Sequence, residues 1–147
     1  MTSIEKMFES AIDFRDKGQL REAVAIFSKI LDNYSNDKGL AGVHGVLGGV
    51  YMDLEEHEKA LDNFKKATIL SPKSELASLG LYVSYVNVDK DEEAIGELIR
   101  YLKNYPAELY KDTLEELLEG LEKGYMTNYE KEIKNLAKIN GVKISLL

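Results

Sequence analysis

The sequence lacks cysteine and tryptophan and has only two prolines and two histidines. Without cysteine the chain can form no disulfide, thiolate metal site or cysteine nucleophile, which fits a reducing compartment. No run approaches the ~18 apolar residues of a membrane-spanning helix. The first ten residues, MTSIEKMFES, are charged and follow a helical pattern, without the apolar core of a signal peptide. We therefore expect a cytoplasmic protein.

Positive charge is also scarce relative to negative charge. The 147 residues include 19 Lys and Arg against 26 Asp and Glu, which gives a net charge of -7. This balance repels the phosphates of nucleic acids and anionic membrane surfaces, so neither is an expected partner. With 44% hydrophobic and 31% charged residues, the composition predicts one folded domain over residues 1–147.

Glycine, by contrast, is concentrated in one stretch, AGVHGVLGGVY at residues 41–51, where it stands at 42, 45, 48 and 49. The apolar spacing around it predicts a helix. A glycine inside a helix costs roughly 0.5 to 1 kcal/mol relative to alanine. Four of them indicate that another part of this protein, or of a partner, comes close to the backbone there.

An internal repeat organises the chain. Small alanines precede an aromatic residue or leucine by four positions at 23, 60 and 94, separations of 37 (60 − 23) and 34 (94 − 60). The second unit has the most complete set of matching positions: His44, Leu47, Gly48, Tyr51, Ala60, Phe64, Ala67 and Pro72. This set resembles the tetratricopeptide repeat, except that His44 replaces the usual tryptophan and Glu55 stands at the loop glycine.

The resemblance implies an all-α fold, a right-handed α-α superhelix (solenoid) of three tetratricopeptide hairpins at about 4–37, 41–74 and 75–108. The three extra residues between the first two units are expected to lengthen a loop within 33–40. Tyr82 stands where a small residue normally lets the two helices approach, which predicts a wider third hairpin.

After Pro106 the repeat signature stops but the helical pattern continues. Two apolar stripes follow: Leu114, Leu117, Leu118 and Leu121, then Tyr129, Ile133, Leu136 and Ala137. We interpret residues 109–140 as a degenerate helical hairpin that caps the stack with an acidic outer face. Gly141 is predicted to end the last helix. In the tail, 141–147, the apolar residues Val142, Ile144 and Leu146 then alternate with others.

In tetratricopeptide proteins the first helix of each hairpin lines a concave groove. Motif alignment carries that role to sixteen positions: Phe8, Glu9, Ile12, Arg15, Gly42, Gly45, Val46, Gly49, Met52, Asp53, Leu76, Leu79, Gly80, Val83, Val86 and Asn87. Most are apolar or glycine. The carboxylate clamp that binds the C-termini of heat-shock chaperones is absent, because its matching positions hold Phe8, Ile12, Val46, Leu76 and Gly80.

The glycines leave three interpretations open. They could only allow tight packing within the stack, as we expect for Gly48. Alternatively, Gly42, Gly45 and Gly49 share one helical face that a ligand could cover. The occupant would then be the chain's own segment 125–147 or an external partner.

Catalysis has little support in the sequence. His44 occupies a packing position of the repeat, and His57 lies in the turn EEHEKA without a second histidine or cysteine at a metal-ligand spacing. The glutamates between 115 and 122 follow the pattern of a solvated helix face. We expect no enzyme activity, cofactor or metal.

The sequence therefore predicts a protein-interaction module whose groove binds an apolar peptide or helix. Two alternatives in the same class are a chaperone for hydrophobic secretion substrates and an acidic immunity-type inhibitor of a basic toxin. A self-associating assembly scaffold, and so a homo-oligomer, is a third alternative.

Overall fold

The computed structural model describes residues 1–34 and 38–144. They form the following eight α-helices: α1 (Ser3–Asp16), α2 (Leu20–Asn33), α3 (Ala41–Asp53), α4 (His57–Leu70), α5 (Glu75–Asn87), α6 (Asp91–Asn104), α7 (Tyr110–Glu122) and α8 (Glu130–Ile139). Short 3-10 helices lie at Lys38–Leu40 and Thr127–Tyr129. Within the described ranges there is no strand, and the predicted all-α class is confirmed.

The helices pack in the order of the chain. α1 packs on α2, α3 on α4, α5 on α6 and α7 on α8. Further contacts join α2 to α3, α4 to α5, α3 to α5 and α6 to α8. Because short turns connect the members of the first three pairs, each pair is an antiparallel hairpin. Residues 35–37 of the predicted loop and 145–147 of the predicted tail, including Leu146, lie outside the described residues.

The same turn ends α1, α3, α5 and α7. Gly18, Glu55, Asp89 and Gly124 all have a left-handed backbone, with φ of 78°, 59°, 60° and 90°. At each, the next residue donates its N–H to a carbonyl near the helix end, as from Gln19 to Phe14 at 2.9 Å. These bonds satisfy carbonyls that a helix end otherwise leaves unpaired. Glu55, where the repeat motif has glycine, therefore adopts a conformation that favours glycine.

The aligned small residues lie at the centre of the hairpins. Ala23, Ala60 and Ala94 have no exposed surface. Their small side chains leave room for the larger residues four positions later, of which Phe27 and Leu98 are likewise fully buried. The repeated spacing in the sequence thus corresponds to repeated packing between helices.

The C-terminal helices form a core of their own with α5 and α6. All four leucines of the first predicted stripe are buried, and so are Ile133, Leu136 and Ala137 of the second. Tyr129 is only partly buried. Val142 and Ile144, the two alternating apolar residues of the tail that the structure describes, both pack against this core.

A buried polar network joins α5, α6 and α7. The hydroxyl of Ser78 lies 2.7 Å from the carboxylate of Glu97 and 2.7 Å from the hydroxyl of Tyr110. Arg100 donates to both oxygens of Glu97, at 2.7 and 2.8 Å, so the buried charge is paired. Burial raises the pKa of Tyr110 well above its usual range, which keeps its hydroxyl neutral.

Two further contacts between α5 and the start of α7 reinforce this network. The carboxylate of Glu75 accepts the backbone N–H groups of Glu108 and Tyr110, at 2.8 and 3.0 Å, and so caps the start of α7. The ring of Tyr82 meets that of Tyr110 edge-on, with centroids 6.1 Å apart. The bulk of Tyr82 thus fills space between α5 and α7.

Candidate binding groove

An open apolar groove lies between α3 and α5. Its volume is about 780 Å³. Arg15 of α1 contributes at one side, and the connection between α4 and α5 contributes Ser71 and Ser74. The remaining lining residues are almost all apolar or glycine: Ala41, Gly42, Gly45, Val46, Gly49, Val50, Met52, Asp53, Phe64, Leu76, Ala77, Leu79, Gly80 and Val83.

Three glycines of α3 expose its backbone to this groove. A Cβ atom built on Gly42, Gly45 or Gly49 would have no other atom within 4 Å, apart from its immediate surroundings in the helix. Their spacing of three and four residues places them on one face. No atom of the described residues lies over these three positions, although each glycine lowers the helix propensity of α3.

Two further glycines, Gly48 and Gly80, have no free space beside them, because both contact the ring of Phe64. A Cβ on Gly48 would lie 2.9 Å from Cδ2 and Cε2 of that ring. On Gly80 of α5 it would lie 2.5 Å from Cδ1, and closer still to Cε1. Phe64 is therefore held between the backbones of α3 and α5 and forms part of the groove floor.

Eleven of the sixteen residues predicted for the groove line it. The exceptions lie at its two outer margins: Phe8, Glu9, Ile12, Val86 and Asn87. Phe8 packs edge-on against Phe27, with ring centroids 5.7 Å apart, and Ile12 packs against the same N-terminal core. Val86 is 37% exposed at the far end of α5, and Glu9 and Asn87 are exposed.

The sequence analysis missed six lining residues: Ala41, Val50, Phe64, Ser71, Ser74 and Ala77. Phe64 belongs to the second helix of its hairpin, and the alignment assigned the groove to first helices alone. Ser71 and Ser74 flank Pro72 in a connection whose path depends on how two hairpins stack. The helical period gives no signal for such positions.

Only two charged side chains, Arg15 and Asp53, are among the lining residues of the described groove. Arg15 is paired with its neighbour Asp16, whose carboxylate lies 3.0 Å from Nε and 2.8 Å from Nη2. Asp53, the last residue of α3, is exposed and has no ion pair or hydrogen-bond partner for its side chain among the described residues. Within residues 1–34 and 38–144, the groove thus ends at a carboxylate without a paired cation.

The C-terminal segment lies elsewhere, as far as the structure describes it. α8 packs on α6 and α7, while Val142 and Ile144 contact the C-terminal core. No residue between 105 and 144 lines the groove. The described part of segment 125–147 therefore leaves the glycine face open.

The two histidines lie outside the groove. Nδ1 of His44 is 3.0 Å from Oδ1 of Asn63, whose amide nitrogen donates to the carbonyl of Lys59. Since that second bond orients the amide with its oxygen towards the histidine, Nδ1 of His44 carries the proton and links α3 to α4. Nδ1 of His57 is buried and has no hydrogen-bond partner among the residues that the structure describes.

Neither a metal cluster nor a membrane-spanning helix is found in the part of the chain that the structure describes. No group of three or more histidines and carboxylates there could hold a metal ion. None of its helices has both the length and the apolar character to cross a bilayer.

The comparison with known proteins found no match: no protein-family model matches the chain, and neither does any curated protein. The resemblance to the tetratricopeptide repeat therefore stays a prediction from the motif residues. What the groove does has to be argued from its own geometry.

Proposed function

We propose that the chain is a tetratricopeptide-type superhelix and that its groove binds an apolar segment of a partner protein. The observation that carries this proposal is the open backbone at Gly42, Gly45 and Gly49. If these glycines served packing alone, atoms of a neighbouring helix would lie over them, as Phe64 lies over Gly48. Open glycines lower helix stability, and no contact among the described residues compensates for this loss; contacts with a bound partner would do so.

The superhelical arrangement is supported by the recurrence of one turn. Left-handed residues follow α1, α3 and α5 at 18, 55 and 89, and each begins a short connection to the next helix, as a repeated hairpin requires. The contact between α3 and α5, which are the first helices of two successive hairpins, is consistent with such stacking. Stacking hairpins in this way produces an extended concave surface along the first helices.

The apolar lining supports a hydrophobic partner. Leu76 at the margin of the groove is 69% exposed, although large apolar side chains are usually buried. Fully burying a leucine side chain is worth about 1.5–3 kcal/mol. A partner that covered Leu76 and the glycine face would therefore gain a large part of its binding energy there.

The lining also favours binding over catalysis. Its charged groups are one paired arginine and one exposed carboxylate, and neither histidine contributes. General acid-base catalysis requires a titratable group within hydrogen-bond reach of the substrate and a second group that orients it. The groove offers no such pair among its described residues.

Substitution by leucine at Gly45 tests this function. The side chain would project into open space, so we expect the fold to be retained and the groove to be blocked. Gly96→Leu is the matched control, because Gly96 lies on α6, outside the groove, and a Cβ there also meets nothing within 4 Å.

The measurement is affinity capture from native cytosol with wild type and both variants, after circular dichroism has shown equal helix content. A protein captured by wild type and by Gly96→Leu, but lost with Gly45→Leu, would support the proposal. Equal capture by all three proteins would contradict it.

A further inference from the structure

We propose that the groove's occupant is a short amphipathic α-helix of a partner protein, with a lysine or arginine placed beside Asp53. This inference rests on the proposed function and specifies the chemistry of the partner. It follows from the hydrogen-bonding capacity of the groove, the spacing of the open glycines and the position of the unpaired carboxylate.

Hydrogen bonding favours a helix over an extended peptide. The groove is lined by α3 and α5, whose interior backbone N–H and C=O groups are already bonded within each helix. An extended segment carries one backbone donor and one acceptor per residue, and burial without partners is costly for both. Ser71, Ser74, Arg15 and Asp53 are too few to satisfy them. A helix satisfies its own backbone.

The open glycines match one face of such a helix. Gly42, Gly45 and Gly49 cover about two turns of α3, or roughly 10 Å at 1.5 Å per residue. Apolar side chains at positions i, i+3 or i+4, and i+7 of a partner helix have the same periodicity. They could therefore contact the exposed backbone of α3 while Val46 and Val83 border them.

The negative charge of Asp53 favours a basic residue of the partner at one end of the groove. No described residue pairs with Asp53, which lies at the C-terminal end of α3, where the helix dipole adds negative potential. Arg15 does not neutralise it, because its guanidinium is held by Asp16. The net charge of -7 also attracts a basic partner and opposes a second copy of this chain.

The experiment is a selection of random 16-residue peptides displayed on phage against the full chain, with depletion on Gly45→Leu. We expect the enriched peptides to show apolar residues at intervals of three and four, together with a terminal lysine or arginine. Enriched peptides with apolar residues at every second position, or with acidic ends, would overturn this inference. The proposed binding function of the groove would still hold in that case. If no peptide bound the wild-type chain better than it bound the Gly45→Leu variant, the proposed function itself would be overturned.

Charge reversal tests the role of Asp53. An enriched peptide should bind Asp53→Lys about two- to fivefold more weakly at low salt, as expected for an exposed ion pair. Replacing its basic residue by glutamate should restore binding to that variant. Lack of restoration would overturn the predicted contact. A concentration-dependent dimer that the peptide dissociates, seen by analytical ultracentrifugation, would identify a second copy as the occupant and refute a separate partner.

Discussion

Alanine substitutions at Gly45, Gly48 and Gly80 should change stability in opposite directions. All three residues are helical, so a local argument predicts that each alanine stabilises its helix by about 0.5–1 kcal/mol. The structure predicts that gain for Gly45→Ala alone, because only there would the new methyl group enter open space.

At the other two positions the methyl group meets the ring of Phe64. The ring cannot move away from Gly48, where a Cβ would lie 2.9 Å from it, without moving towards Gly80 on its opposite edge. Overpacking of this kind costs about 1–3 kcal/mol, which exceeds the gain in helix propensity. We therefore expect Gly48→Ala to lower the free energy of unfolding by roughly 1 kcal/mol, and Gly80→Ala to lower it further.

Urea unfolding monitored by far-UV circular dichroism would measure these changes. In thermal unfolding of a chain of this size, a change of 1 kcal/mol in the free energy of unfolding shifts the melting temperature by about 2–4 °C. Replacing Phe64 by leucine should reduce the cost of Gly80→Ala, because a narrower side chain leaves room for the methyl group. If Gly48→Ala stabilised the protein as much as Gly45→Ala, the reasoning about the held ring would be refuted.

Three further predictions concern buried or strained groups. Ser84→Ala should raise the urea midpoint, because the hydroxyl of Ser84 is buried without a partner among the described residues. Ser78→Ala should lower stability by about 1–3 kcal/mol, because it removes the Ser78 hydroxyl from Tyr110 and one hydrogen bond from the buried carboxylate of Glu97. Equal effects would contradict this contrast. Glu55→Gly should stabilise by about 1 kcal/mol through relief of its left-handed backbone, and a lower melting temperature would refute it. Burial raises the pKa of Tyr82 from 10.0 to about 12, so the unfolded chain loses this proton first and stability should fall as pH rises from 10 to 12. Unfolding titrations of wild type and Tyr82→Phe over that range would test this, and identical slopes would contradict it.

Local periodicity in the sequence was sufficient to predict the helices and much of their packing. The spacing of Ala23, Ala60 and Ala94 predicted three equivalent positions of a repeat, and in the structure all three alanines are fully buried. The helical period also separated Gly48 from the face shared by Gly42, Gly45 and Gly49. These features were accessible because side-chain direction within one helix depends only on residue number.

The margins of the groove were harder to predict. Phe8 and Ile12 belong to the predicted groove face of α1, yet they pack towards the N-terminal core. Ser71 and Ser74 line the groove from a connection that has no helical period. In both cases, whether a residue lines the groove depends on the angle at which neighbouring hairpins stack.

The sequence by itself determined the helical hairpins, their buried small residues and the glycine-rich face of α3, because each follows from neighbours within a few turns. Only the tertiary structure decided that Phe64 is held between Gly48 and Gly80, and that Glu75 caps the start of α7. Only the tertiary structure likewise showed that Asp53, at the end of the groove, has no ion-pair partner in the described part of the chain. Contacts between residues more than one helix apart depend on stacking geometry, which many distant side chains set together and no local pattern encodes.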